Sequence, residues 1–215
     1  MEIKKNAVEN YKFFCSLEGS DYIATPFALE VILRLITTFK SKRILEIGMG
    51  IGCVADTILK YNDKNKLEIE YSGTEKNDFC LKALPINVAF FKDVILYSEL
   101  KEIKNEKFDF IIIDGSDEAL MNIKEYCNKH TVLFIEGDRQ IQVQTVVKVF
   151  PKSLYVNVIT LEKNPPYAHE GRDINSYIGG GQLIFANPTF QMKIYWFKEK
   201  VKTFIKRKIR KFKRK

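Results

Sequence analysis

The chain has 215 residues, 46% hydrophobic and 13% aromatic, enough to fill one globular core and to exclude general disorder. No apolar run reaches the eighteen or so residues of a membrane span, and residues 1–5 lead into no apolar signal segment. Cys15, Cys53, Cys80 and Cys127 lie far apart without the paired spacings of a zinc site, so reduced thiols in a cytoplasmic protein are expected. The net charge of +8 is unevenly divided: residues 193–215 hold twelve of the 35 Lys and Arg and one of the 27 acids, a net of +11. The other residues carry 23 basic and 26 acidic side chains, so the body is mildly acidic. Such asymmetry points to a segment that meets a polyanion, either nucleic acid or an anionic membrane.

In chain order, Phe27, Val31, Leu35 and Phe39, with Ile32 and Ile36 beside them, recur at helical spacing, and Pro26 suits a first helical turn. Residues 43–47 form a short apolar strand ending in glycines, followed by a helix over 54–59. A second strand is expected at about 67–74 and a third at about 88–91. Phe108-Asp-Phe-Ile-Ile-Ile113 has the β-branched run of a central parallel strand covered on both faces. Residues 131–135 make a fifth strand, and 140–150 a helix stopped by Pro151. Two last strands, 154–161 and 182–186, are joined by a loop with no helical segment. This order predicts a doubly wound α/β fold: a seven-stranded, mostly parallel sheet with an antiparallel last strand. Its ligand belongs at the carboxyl ends of the strands, near the point where strand order reverses.

Glu46-Ile-Gly48-Met-Gly50-Ile-Gly52 leaves the first strand. Glycines there let the backbone turn tightly and approach a ligand, while the following helix presents free N–H groups. The spacing misses G-x-G-x-x-G by one, because Cys53 stands three residues after Gly50. It resembles instead the acidic-x-G-x-G-x-G signature of class I S-adenosylmethionine-dependent methyltransferases, a resemblance extending over residues 26–188. The resemblance implies S-adenosylmethionine as cofactor, held by Glu46, Gly48, Gly50 and Gly52. It also implies Glu75 on the ribose hydroxyls, Asp93 after the third strand near the adenine, and Asp114 beside the transferred methyl. Glu75 and Asp93 also suit solvated loop acids or helix caps.

Methyl transfer to oxygen needs a positioned acceptor and a proton acceptor. Candidates are Asp114, Glu136 and His169, an imidazole being suited to base work near neutral pH. Asp114 with Glu136 or Asp138 resembles the divalent-ion site of metal-dependent O-methyltransferases, which would take Mg2+, although Glu136-Gly137-Asp138-Arg139 departs from the usual Asp-Asn pair. Arg139 and Arg172 could clamp a phosphate or carboxylate of the acceptor. Asn164-Pro165-Pro166-Tyr167 matches the tetrad of amino-methyltransferases, in which Tyr167 would face the substrate, but it comes two strands later than in that family. The expected activity is O-methylation of a sugar, lipid-linked glycan or other small-molecule hydroxyl. N-methylation of RNA or protein through the tetrad and a non-catalytic nucleotide-binding module are the alternatives.

The expected organisation is a donor-binding domain over 1–190 and a basic amphipathic tail over 191–215. Ile194, Phe197, Val201, Phe204, Ile205, Ile209 and Phe212 fall within an arc of roughly 140° at 100° per residue, and Lys and Arg cover much of the remainder. Tyr195 and Trp196 near its start are typical of a membrane–water boundary. The repeated large apolar residues favour an anionic membrane surface over nucleic acid, which would place the protein at the cytoplasmic face of a membrane.

Overall fold

The computed structural model describes residues 2–168 and 173–213. The strands are β1 (Arg43–Ile47), β2 (Glu70–Thr74), β3 (Val94–Tyr97), β4 (Phe108–Ile113), β5 (Cys127–Glu136), β6 (Leu154–Val158) and β7 (Gly181–Phe185). They form one sheet in the order β3-β2-β1-β4-β5-β7-β6. β7 runs antiparallel to both its neighbours, whereas the pairs from β3 to β5 are parallel. Strand order reverses between β1 and β4, so their carboxyl ends frame the natural ligand crevice.

The helices are α1 (Glu2–Phe14), α2 (Pro26–Phe39), α3 (Cys53–Asn65), α4 (Asp78–Asn87), α5 (Gln140–Val149) and α6 (Phe190–Phe212). Side chains alternate along β1: Ile44 joins the core under α1, α2 and α3, whereas Leu45 and Ile47 join the core under α5. A 3-10 segment, Glu118–Tyr126, replaces a full helix between β4 and β5 and seats Leu120 and Ile123 in that second core. α1 was not anticipated, though Ala7, Asn10, Tyr11 and Phe14 bury one helical face against the body.

The third strand lies later than its expected position at 88–91. Val88 N–H bonds back to Leu84 O at 3.0 Å and Phe91 N–H to Val88 O at 3.2 Å, closing the exit of α4 and a 3-10 turn. Those backbone groups serve turns, and Val88 is apolar because it packs, not because it pairs. Asp93 consequently precedes β3 at the sheet's amino end, the wrong end for an adenine contact.

The basic C-terminal segment is one continuous helix laid along β6. Trp196 Nε1 donates to Tyr155 O at 2.8 Å, Thr203 Oγ1 to Asn157 O at 2.6 Å and Lys206 Nζ to Ile159 O at 2.7 Å. No described helix is long and apolar enough to cross a membrane.

Candidate active site

The loop after β1 is shaped by positive φ at Gly48, Gly50 and Gly52. At Gly48 (φ +84°) a Cβ would lie 2.6 Å from the Cα of Gly115, so the turns leaving β1 and β4 touch backbone to backbone. Asp114 and Gly115 N–H both bond to Ile47 O, at 3.0 and 2.7 Å, which fixes Asp114 beside the loop. From the other side Glu75 closes the arrangement: its Oε2 accepts from Gly50 N–H at 2.7 Å, and its Oε1 from Lys76 and Asn77 N–H at 2.9 Å each. Three backbone donors converge on one carboxylate at the end of β2, the position expected of the ribose ligand.

Glu46 is fully buried beneath this loop. Its Oε2 accepts from the hydroxyl of Tyr71, while Oε1 meets no hydrogen-bond donor among the described residues. Burial pushes its carboxyl well above the ordinary range; the Tyr71 bond opposes that rise, and the negative charges of Asp114 and Glu75 add to it. Three carboxyl groups thus gather at the loop, and burial favours the uncharged form of the deepest, Glu46.

A cavity of about 290 Å³ opens against the loop, lined by Met49, Gly50 and Ile51 from β1's exit, Asn77 and Phe79 from β2's exit, and Asp114. Cys53, Val54 and Cys80 add to the lining, and one further wall is formed by Gly19 and Asp21 to Ala24, a segment absent from the expected site. Gly19 sits so close that a Cβ there would lie 2.6 Å from the Phe79 ring. Thr25 anchors the wall: its hydroxyl caps α2 by accepting from Ala28 N–H at 3.1 Å and donates to Gly179 O at 2.9 Å. No motif marks residues 19–24; the sole sequence cue is their place immediately before a capped helix.

On the other side of Asp114, the Arg139 guanidinium lies 3.0 Å from its Oδ1, and Arg139 Nε donates to Glu136 O at 3.1 Å. Glu136, nearly buried, accepts from Thr25 N–H at 3.4 Å, and Asp138 accepts from the amides of Gln140 and Gln182. Asp114, Glu136 and Asp138 therefore do not converge as expected of a Mg2+ site, and no metal-ligand cluster occurs among the described residues. A guanidinium already supplies the positive charge at Asp114, whereas Glu136 accepts from Thr25 N–H and Asp138 from two glutamine amides.

Beyond Arg139 lies a second, more polar cleft of about 380 Å³. Asp138, Asn157, Tyr177 and the backbone of Gly179, Gly180 and Gly181 line it, together with Arg207 and Arg210 from α6. Gly180 permits this floor, because a Cβ there would stand 1.9 Å from Val158 O. Arg210 Nε donates to Thr160 O at 2.9 Å and its guanidinium lies 4.3 Å from the Tyr177 ring centre, leaving Arg207 as the more exposed cation. Neither arginine was singled out as a site residue, because nothing in the sequence says which side of α6 faces the sheet.

Tyr167 packs instead toward α1, its ring 6.3 Å from that of Tyr11 and 5.7 Å from Lys12 Nζ. Asn164 Nδ2 donates to Asp173 O at 2.9 Å, and neither Asn164 nor Tyr167 lines the cavity at the glycine loop. The tetrad therefore does not meet the expected methyl donor. His169 and Arg172 lie outside the described residues.

No protein-family model and no curated protein matches the chain. Among solved structures, an O-methyltransferase from Bacillus cereus in complex with SAH is 15% identical, with TM-score 0.57, over 84% of this chain and 90% of that one. A tRNA methyltransferase, TrmI, from Aquifex aeolicus is 14% identical, with TM-score 0.57, over 81% and 74%. The O-methyltransferase TomG from Streptomyces achromogenes, in complex with SAM, is 13% identical, with TM-score 0.54, over 86% and 89%. The likeness is one of architecture, and it agrees with the strand order and the antiparallel β7 described above. The chain has the fold of the class I S-adenosylmethionine-dependent methyltransferases.

Proposed function

We propose that the chain transfers a methyl group from S-adenosylmethionine to a hydroxyl of an anionic sugar or lipid-linked glycan. The observation that carries the donor half is the cavity against the glycine loop, lined by Met49, Gly50, Ile51 and Asp114, with Glu75 bonded to Gly50 N–H behind it. S-adenosylmethionine would supply an electrophilic methyl on a cationic sulfur, and the Asp114 side chain lining the cavity would complement that charge. When the acceptor oxygen bonds to the methyl carbon and the carbon–sulfur bond breaks, the hydroxyl proton would leave, and Asp114, which lines the cavity, would take it. Arg139, 3.0 Å away, holds that carboxylate in orientation. Glu136 accepts from Thr25 N–H at 3.4 Å, which ties the end of β5 to the start of α2. The acceptor half rests on the polar cleft beside Arg139, where Arg207 and Arg210 would receive a phosphate or carboxylate. O-methyltransferases among the structural neighbours support this reading, and TrmI keeps RNA as the competing acceptor class.

Calorimetric titration of the folded protein with S-adenosylhomocysteine should show binding, weakened about tenfold or more in Glu75→Ala. Absence of binding by the wild type overturns the donor assignment. In a transfer assay with radiolabelled donor, Asp114→Asn should lose about 10²–10⁴ in rate while still binding S-adenosylhomocysteine. Label entering tRNA or rRNA, and not sugar nucleotides or membrane extract, overturns the acceptor assignment. Donor binding with no methyl released to any fraction would indicate a non-catalytic module.

A further inference from the structure

We infer that the outward face of α6 is a docking surface for an anionic lipid bilayer. The observation is an inversion. Met192, Tyr195 and Trp196 pack on the core, and Glu199, Thr203, Lys206 and Arg210 make the later buried or hydrogen-bonded contacts, so beyond its first two turns the helix docks through its more polar side. At 100° per residue the centre of the apolar arc lies roughly 170° from Thr203. Phe190, Phe197 and Phe204 are 79%, 61% and 61% exposed, and Ile194, Val201, Ile205 and Phe212 continue the same stripe. A helix of 23 residues, about 34 Å long, therefore presents hydrocarbon to the outside along its whole length.

Charge identifies the occupant. The one acid of residues 193–215, Glu199, is turned inward, 3% exposed, and paired with Lys202 at 2.7 Å. No carboxylate is left on the outer face, where Lys198 and Lys208 lie within the apolar arc and Lys193, Lys200 and Lys211 flank it. Long cationic side chains bordering a phenylalanine and isoleucine stripe suit an interface, with the rings in the acyl boundary and the ammonium groups at lipid phosphates. A second copy of the chain would set two strongly cationic helices against each other. Nucleic acid would meet the charges and leave the hydrocarbon stripe in water. The inference is independent of the methyl-transfer chemistry, since it uses none of the donor-site residues.

Flotation of the full-length protein tests it, with phosphatidylcholine vesicles that contain or lack phosphatidylglycerol. The wild type should float with the anionic vesicles, and the double variant Phe197→Ser/Phe204→Ser should partition about tenfold less for each ring removed. Thermal melting of that variant should match the wild type, because both rings are already exposed. At about 1 M salt, where the Debye length is ~3 Å, part of the binding should persist through the apolar stripe. A wild type that stays at the bottom of the gradient overturns the inference, as does a double variant that floats equally well. Sedimentation as a dimer that the double variant dissolves, or gel retardation of RNA without vesicle binding, also overturns it.

Discussion

The glycine loop and α6 treat charge in opposite ways. At the loop the chain sinks Glu46 into the core, where burial disfavours its charge, and sets Glu75 and Asp114 beside it, bringing three acidic side chains to one small site. Along α6 it hides its one acid, leaves cations outside and turns Phe190, Phe197, Phe204 and Phe212 to the exterior. The first region spends folding energy on a small, enclosed site; burying an ionisable group with an unmet oxygen is costly and needs a purpose. The second leaves hydrophobic area unburied over a whole helix, which is equally uneconomical for an isolated molecule. Each departs from the ordinary rule of apolar inside and polar outside, and the departures mark the two surfaces where something else is expected to bind.

The sharpest way to break the first half of this contrast is Gly48→Ala. The residue has φ +84°, and the added Cβ would meet the Gly115 backbone at 2.6 Å, where no flexible side chain can yield. Left-handed strain and a backbone clash together should cost about 3 kcal/mol of stability, read from the urea midpoint, and donor binding should fall with it. A variant as stable as the wild type would mean that the two turns are not locked together.

Glu46→Gln sharpens the same contrast through pH. The folded state holds this carboxyl well above its ordinary value of 4.5, so its contribution to stability is complete below that value and is lost as pH rises through the folded one. Within that window the wild type should lose about 1.4 kcal/mol for each pH unit from this group, a slope the glutamine variant lacks. Urea midpoints measured across the pH range therefore should diverge upward in favour of Glu46→Gln, while an unchanged difference would remove the case for a neutral Glu46.

Much of the first region was legible in the chain itself, and much less of the second. Glycines at 48, 50 and 52 after an apolar strand constrain the backbone locally, so their role survives without knowledge of neighbours. The placement of Glu75 and Asp114 beside the loop follows from strand order, since a parallel sheet brings successive strand ends to one edge, whereas their roles come from the family resemblance. Asp93 failed by the same logic: residues 88–91 are apolar because they pack at the exit of α4, and apolarity does not distinguish a packed turn from a paired strand. The wall at residues 19–24 was invisible because its role depends on a distant anchor, Thr25 to Gly179. For α6 the amphipathic arc was plain, yet the ordinary expectation would send that arc inward. Only the bonds of Trp196, Thr203 and Arg210 to β6 and the residues just beyond it reveal which face is turned to the sheet, and with it the arginines of the second cleft.

The smallest effect tests that orientation with two adjacent residues. Thr203 is buried and its hydroxyl donates to Asn157 O at 2.6 Å, whereas Phe204 next to it is 61% exposed. Thr203→Val keeps the shape, removes the donor and leaves a carbonyl at the sheet edge short of a partner, which should cost about 1 kcal/mol. Phe204→Ser deletes a whole ring that touches little of the body, and should stay within about 0.5 kcal/mol of the wild type. Ordinary intuition ranks these two substitutions the other way, with the phenylalanine as the core residue. Chemical denaturation of both variants decides between them: a larger loss for Phe204→Ser would mean that α6 docks through its apolar arc, and the outward stripe would no longer exist.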